Sequence, residues 1–272
     1  MRNFSIGPRE MLASLWRHRD LVTALTRREI AGRYRGSMMG MLWSFINPVC
    51  MLAVYTFVFS VVFKARWSAG TESRTEFALV LFAGMLVFGL FSECINRAPG
   101  LILAHVSYVK KVVFPLEILP FVSLCTALFH LLVGVFVWLI FHLALFGTLH
   151  PTLLLFPLVL LPLVLFTMGL SWMLAALGVY LRDVGQVIGL FTTALLFLSP
   201  VFYPVSALPA EYRTLLHLNP LTPVIEQTHQ VLFWGRLPDF GNWALALLAG
   251  SLIAWLGFAW FQKTRKGFAD VL

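Results

Sequence analysis

His130, His142 and His150 carry imidazoles that could do acid–base or metal chemistry, yet none has a carboxylate near it in sequence. A metal site or a nucleophile triad needs such groups to converge. These histidines therefore read as buried, hydrogen-bonded or interfacial side chains, and no metal is expected. Cys50, Cys94 and Cys125 lie within or beside apolar runs and lack the close spacing of a metal site or disulfide framework, so they read as small packing residues. The sequence contains no G-x-x-x-x-G-K-[ST] and no Gly-Lys pair, so the chain has no P-loop of its own. Ion-relay chemistry is poorly supplied as well. Glu93, Arg97 and Glu117 fall only near the ends of apolar runs, whereas ion-coupled transporters and channels keep ionisable groups near the bilayer midplane.

The chemistry on offer is aromatic. Phe, Trp and Tyr make up 15% of the chain, and Tyr55, Phe59 and Phe63 recur every four residues, on one face of a helix, with Trp43 and Phe45 towards its start. Such a face can contact the C–H faces of sugars and line a path for a long hydroxylated chain. The same spacing equally suits rings packed against neighbouring helices or lipid.

The elements that must position these rings are membrane helices. Of the 272 residues 60% are hydrophobic and 12% charged, and the mean hydropathy is +0.86; soluble domains hold roughly 25% charged residues. The net charge of +8 would suit nucleic acid, but most basic residues sit in the first forty positions and near the C-terminus, flanking apolar spans. No nucleic-acid partner is expected. The first apolar run is too long for a signal peptide and lacks a small-residue cleavage site, so no cleaved leader is expected.

Counting uncharged runs of about 20 residues predicts an all-α, polytopic membrane protein with six transmembrane helices, at 40–63, 77–96, 115–146, 152–180, 184–202 and 242–261. "FGTLHP" at 146–151 supplies the turn that divides the third from the fourth. Under the positive-inside rule, eight arginines before the first span, Arg97, Lys110 and Lys111, Arg182, and Lys263, Arg265 and Lys266 face the cytoplasm, fifteen of the twenty basic residues. Both termini are then cytoplasmic.

Residues 1–36 form a cytoplasmic segment in which Leu12, Leu15, Val22 and Leu25 recur at helical spacing, away from Arg17, Asp20, Arg27 and Arg28. An amphipathic helix in the inner-leaflet interface fits this pattern, and so does a bare orientation signal. Between the fifth and sixth spans, residues 203–241 include "VIEQTHQVLFW", too short to cross and too apolar for a free loop. A re-entrant or interfacial helix fits, its start set by Pro220 and Pro223.

Four segments then carry a family likeness: "TRREIAGRYRGSMMGMLWSFINPVCMLAVYTFVFSVVFK" at 26–64, "VSYVKKVVFPLEILP" at 106–120, "LRDVGQVIGLFTTALLFLSPVFYP" at 181–204 and "LNPLTPVIEQTHQVLFWG" at 218–235. In order and spacing they resemble the permease subunits of type-2 ABC exporters for polysaccharides, with O-antigen exporter permeases nearest, teichoic-acid export permeases similar and capsule permeases more distant. The resemblance implies a single transmembrane domain over 1–272, a homodimer forming the pore, two separate ABC ATPase subunits that hold ATP and Mg, a lipid-linked glycan as cargo, and the bacterial inner membrane as location.

Carried over by position, the likeness implies a coupling helix at His105, Val106, Ser107, Tyr108, Val109, Lys110 and Lys111, assisted by Arg27, Arg28 and Glu29 of an N-terminal helix over 8–31. It implies a substrate path along Trp43, Phe45, Tyr55, Phe59, Phe191, Phe197 and Phe202. Outside-facing gate helices fall at 206–216 and 222–234, with Tyr203, Glu211, Tyr212, Glu226, Phe233 and Trp234 as gate residues. Two other classes remain: a membrane transferase acting on lipid-linked sugars, for which only scattered groups such as Glu93 and Glu117 are present, and a type-2 exporter of drugs or small lipids, which would share the fold.

Overall fold

The computed structural model describes residues 6–58, 74–110 and 114–272, and within them every regular element is helical. In chain order the α-helices are α1 (Pro8–Arg17), α2 (Arg19–Tyr34), α3 (Trp43–Tyr55), α4 (Arg74–Leu101), α5 (Val106–Lys110), α6 (Leu119–Phe146), α7 (Phe156–Tyr180), α8 (Val184–Phe197), α9 (Ala210–His217), α10 (Leu221–Leu232), α11 (Phe240–Thr264) and α12 (Phe268–Val271).

Five described stretches are long and apolar enough to cross a membrane: Gly40–Val58, Thr75–Leu101, Leu116–Phe146, Pro151–Tyr180 and Phe240–Val271. The predicted span at 184–202 is shorter, an apolar helix of 14 residues that stops at Phe197. Pro200 has no N–H to continue a helix and disfavours helical backbone at Ser199. The Asn219 side chain then holds the exit, donating to the Leu198 carbonyl at 3.1 Å and to Ser199 Oγ at 2.9 Å. The predicted span at 77–96 is longer in the structure, running from Arg74 to Leu101. Counting uncharged residues stopped it at Arg97, but Glu93 and Arg97 stay inside the helix because partners on other helices neutralise them.

α4 is the central helix and packs against α3, α6, α7, α8 and α10. Its buried rings and branched chains, Phe88, Phe91 and Ile95 among them, join Trp138 of α6 and Trp172 of α7 in one core. Each buried indole has a partner: Trp138 donates to the Leu79 carbonyl at 3.0 Å, and Trp172 to the Glu117 carbonyl at 2.8 Å. Lipid tails are as apolar as leucine, so close van der Waals packing, not exclusion from water, must hold such helices together. α7 and α11 meet most closely, backbone to backbone at Gly169, Gly250 and Gly257.

The N-terminal segment is two helices where one was predicted. The break falls at His18 (φ −105°, ψ 18°), whose Nδ1 lies 2.8 Å from the Ser14 carbonyl. Of the predicted apolar stripe, Val22 is buried against Ile118 and Val122, and Leu15 and Leu25 pack on the same cluster. Leu12 remains exposed, as does Trp16. The turn after α6 is closed by Gly147 at φ +73°, as the turn chemistry of 146–151 implied.

Candidate functional site

At the end of the bundle that carries both termini, the structure assembles residues far apart in sequence. The α5 ring Tyr108 stacks on Phe114 (4.4 Å between centroids) and on His105 (5.3 Å). Its hydroxyl accepts a hydrogen bond from Arg28 of α2 at 3.0 Å. Lys110 donates to the carbonyl of Leu272. Two of the predicted coupling groups, Arg28 and the 105–110 helix, are thus brought into direct contact, with Ser107 and Lys110 exposed and Val106 and Val109 partly buried. Arg27 is exposed beside them. Lys111 lies outside the described residues.

Glu29 departs from that group and pairs with Arg97 of α4. One turn later Arg33 pairs with Glu93, whose Oε2 lies 3.0 Å from His130 Nδ1 on α6. Glu29, Arg33, Glu93 and Arg97 line a cleft of 730 Å³ with Ser92, Asn96 and Thr126. His130 is thus hydrogen-bonded, as its sequence reading allowed, and its partner Glu93 is distant in sequence but adjacent in space because α4 and α6 lie side by side. His142 does stack on an apolar partner, the Trp138 ring at 4.6 Å.

A second junction was not singled out as a site in the sequence. Glu117 Oε2 lies 2.6 Å from Arg265 Nη1, with both side chains only 9% exposed. Its Oε1 accepts from Ser14 Oγ of α1 at 2.9 Å, while its backbone carbonyl receives the Trp172 indole. Arg265 also donates to Gln262 Oε1 at 3.1 Å. This one residue thereby ties together α1, the start of α6, α7 and the segment after α11. Both positions carried a visible signal, a charge at the edge of an apolar run, but nothing in the sequence linked two residues 148 positions apart.

The aromatic residues divide into two groups. Tyr55, Phe202, Phe233 and Trp234 gather around buried Phe77, Val80 and Leu81 at the start of α4. Phe197 stacks on Phe202 at 5.7 Å, and the Tyr203 hydroxyl donates to the Phe197 carbonyl at 2.8 Å. Predicted path residues and predicted gate residues thus meet in one place. Tyr55 also lines a cavity of 320 Å³ between α3 and α4 with Asn47, Phe82 and His130. Trp43, Phe45, Phe191 and Phe197 expose their rings along the bundle surface, as Tyr212 does on α9 beside exposed Glu211. Phe59 lies outside the described residues, as does Phe63, so the four-residue repeat is represented by Tyr55 alone.

α10 is no free loop: Leu221, Val224, Ile225, Val231 and Leu232 are buried against α4 and α7. His229 sits against Gly84, where a methyl group on the glycine would lie 3.0 Å from Nε2, and burial pushes its imidazole down to about 3. Glu226, one turn earlier on α10, is half-buried; burial pushes its carboxyl up and His217 draws it partly back.

Comparison with known proteins bears on this arrangement. The family profile described as ABC-2 type transporter matches residues 20–233. The O-antigen export system permease protein RfbA of Myxococcus xanthus is 31% identical over 265 residues, 96% of this chain and 98% of the relative. A Klebsiella pneumoniae protein of the same name is 24% identical over 93% of this chain and 95% of its own length. The polysialic acid transport protein KpsM of Escherichia coli is 24% identical over 80% of this chain and 83% of its own length.

Proposed function

Since the chain belongs to the ABC-2 type transporter family, we propose that it is the permease subunit of an ATP-driven exporter moving a lipid-linked polysaccharide, O-antigen in the first instance, across a bacterial inner membrane. The observation that carries this reading is likeness along nearly the whole chain to permeases named for O-antigen export. The chain is a transporter subunit, not an enzyme; a separate ATPase subunit binds ATP and Mg. Two copies of the chain and two ATPases make the transporter.

In this reading α8 and the turn to residue 202 supply the fifth of six spans, and both termini are cytoplasmic. α1 and α2 lie at the inner interface, with the exposed Leu12 and Trp16 reaching lipid. ATP-driven closure of the ATPases presses on Arg27, Arg28 and α5. The Arg28–Tyr108 bond joins those two contact points, and the pairs of Glu29 with Arg97 and of Arg33 with Glu93 pass the movement to α4. α3 and α8, whose faces carry exposed Trp43, Phe45, Phe191 and Phe197, part from the second copy. The glycan moves past Tyr55 and Phe202 to the gate formed by Tyr203, Phe233 and Trp234, with Glu211, Tyr212 and Glu226 on the outer helices. An uncharged path offers a neutral polymer contact without a deep electrostatic trap.

Likeness to the polysialic acid transport protein supports a second reading with capsule polymer as cargo and the same mechanics. Affinity purification from the native membrane, followed by mass spectrometry of proteins and lipids, tests both. A stoichiometric P-loop ATPase with a bound lipid-linked glycan supports the exporter and identifies its cargo. A clean oligomer with no ATPase, under detergents that preserve such complexes, rejects it.

A further inference from the structure

A further cleft lies between α7, α10 and α11, with a volume of 1000 Å³. Its floor is apolar: Phe166 and Leu163 of α7 face Ala246, Ala249, Gly250 and Ile253 of α11. The small residues on α11 leave a trough where larger ones would fill the contact. Its rim is polar, formed by Glu226 and Gln230 of α10, His217 and Asn242.

Two rim groups lack partners. Glu226 has no ion pair and no hydrogen bond among the described residues, although its carboxyl is half-buried. The side-chain carbonyl of Gln230 is buried and accepts no hydrogen bond among the described residues. A buried carbonyl without a donor is unfavourable, so Gln230 points to a ligand that brings one, and half-buried Glu226 adds a carboxylate to the same rim. The trough also has a defined depth. From Asn242 to Ile253 it follows α11 for about 16 Å at 1.5 Å per residue, which is half of the ~30 Å hydrocarbon core and so one leaflet.

We infer that this cleft is a binding site for a zwitterionic phospholipid with a primary ammonium headgroup, its acyl chain lying in the α7–α11 trough and its ammonium on Glu226. The Gln230 carbonyl is placed to accept from the same ammonium, and His217 to donate to the headgroup phosphate. The inference rests on α7 and α11 being membrane spans, as in the exporter reading, but not on cargo or ATPase. A sugar polymer suits the cleft less well, because Phe166 is the only Phe, Tyr or Trp in its described lining and the floor offers no hydrogen bonds to hydroxyls. A lipid held there would sit directly beneath α10, whose other face packs on α4 near Tyr55 and Trp234. Lipid composition would thereby reach the gate.

Native mass spectrometry of the full chain, released from nanodiscs of equal phosphatidylethanolamine and phosphatidylglycerol, tests this without any transport assay. The expected result is one phosphatidylethanolamine retained per chain, in preference to phosphatidylglycerol. Glu226→Gln, nearly isosteric, should lower that preference by about tenfold, as loss of one charge-assisted contact implies. Ala246→Phe, which fills the trough, should remove retention of both lipids; Ala249→Leu serves as the milder variant if Ala246→Phe does not purify as a monodisperse species. Equal retention of the two lipids by the wild type overturns the inference, and so does undiminished retention in the trough-filling variant. Retention of glycan in place of phospholipid overturns it too, while leaving the exporter reading standing. A lipid result as expected, in a chain that purifies without an ATPase, would leave the site intact and reject the exporter.

Discussion

Gly257 of α11 faces Gly169 of α7 so closely that a methyl group built on Gly257 would lie 2.0 Å from the Gly169 carbonyl oxygen. The reciprocal methyl on Gly169 would lie 2.3 Å from the Ile253 carbonyl. Neither obstacle is a flexible side chain, so the helices must separate to admit the extra carbon. Gly257→Ala should therefore destabilise the bundle by about 1–3 kcal/mol, the usual range for overpacking, and lower the thermal unfolding midpoint in detergent. Gly89→Ala, where nothing lies within 4 Å of the added methyl, should leave the midpoint nearly unchanged and provides the control.

Arg265→Ala should be worse than loss of both charges. It strands the Glu117 carboxylate, whose side chain is 9% exposed, and removing one member of a buried pair costs about 3–5 kcal/mol. The double variant Glu117→Gln with Arg265→Met should recover much of that loss, read as detergent-solubilised yield and unfolding midpoint.

The contact between α2 and α5 predicts a separation of hydrolysis from export. Lys110→Glu with Lys111→Glu, or Arg28→Ala, should leave the protein inserted and bound to its ATPase while surface polymer falls. Polymer quantified by immunoblot alongside vesicle ATPase activity would reveal it; normal polymer in these variants removes the coupling assignment.

For the aromatic path, Tyr55→Ala with Phe59→Ala should slow the appearance of surface polymer with ATPase assembly intact. Unchanged export would leave those rings with a packing role only.

His229 yields a pH prediction. Burial holds its folded-state pKa near 3, against an ordinary value of 6.5. As pH falls below 6.5 the unfolded chain takes up a proton that the folded chain refuses, so stability is full above 6.5 and declines towards 3, by up to about 1.4 kcal/mol per pH unit. His229→Gln should flatten that part of the profile relative to wild type, and parallel unfolding curves for the two would count against the assignment.

Much of the architecture could be read from residue order, and the reasons where it could not are physical. Uncharged runs marked α6, α7 and α11 well because their interiors hold no Asp, Glu, Lys or Arg. The same criterion cut α4 short, since Glu93 and Arg97 are neutralised by Arg33 and Glu29 from another helix, and no local pattern encodes such a pairing. The division of the N-terminal segment at His18 carried no Pro or Gly to announce it. Pro220 and Pro223 did announce α10, but its burial depends on α4, a helix far back in the chain. The coupling helix was legible only through family likeness; the stacking of Tyr108 on Phe114 and its bond to Arg28 emerged from the fold.

The Glu117 junction sets a rule for exchanging parts between related permeases. Ser14 and Arg265 sit near opposite ends of the chain, yet both bond to the same carboxylate. A chimera that takes its first helices from one parent and its last helix from another imports two halves of one polar contact that were never matched to each other. Splice points chosen from span boundaries alone would cut across it, whereas transplanting positions 14, 117 and 265 as a set would keep the three segments in register.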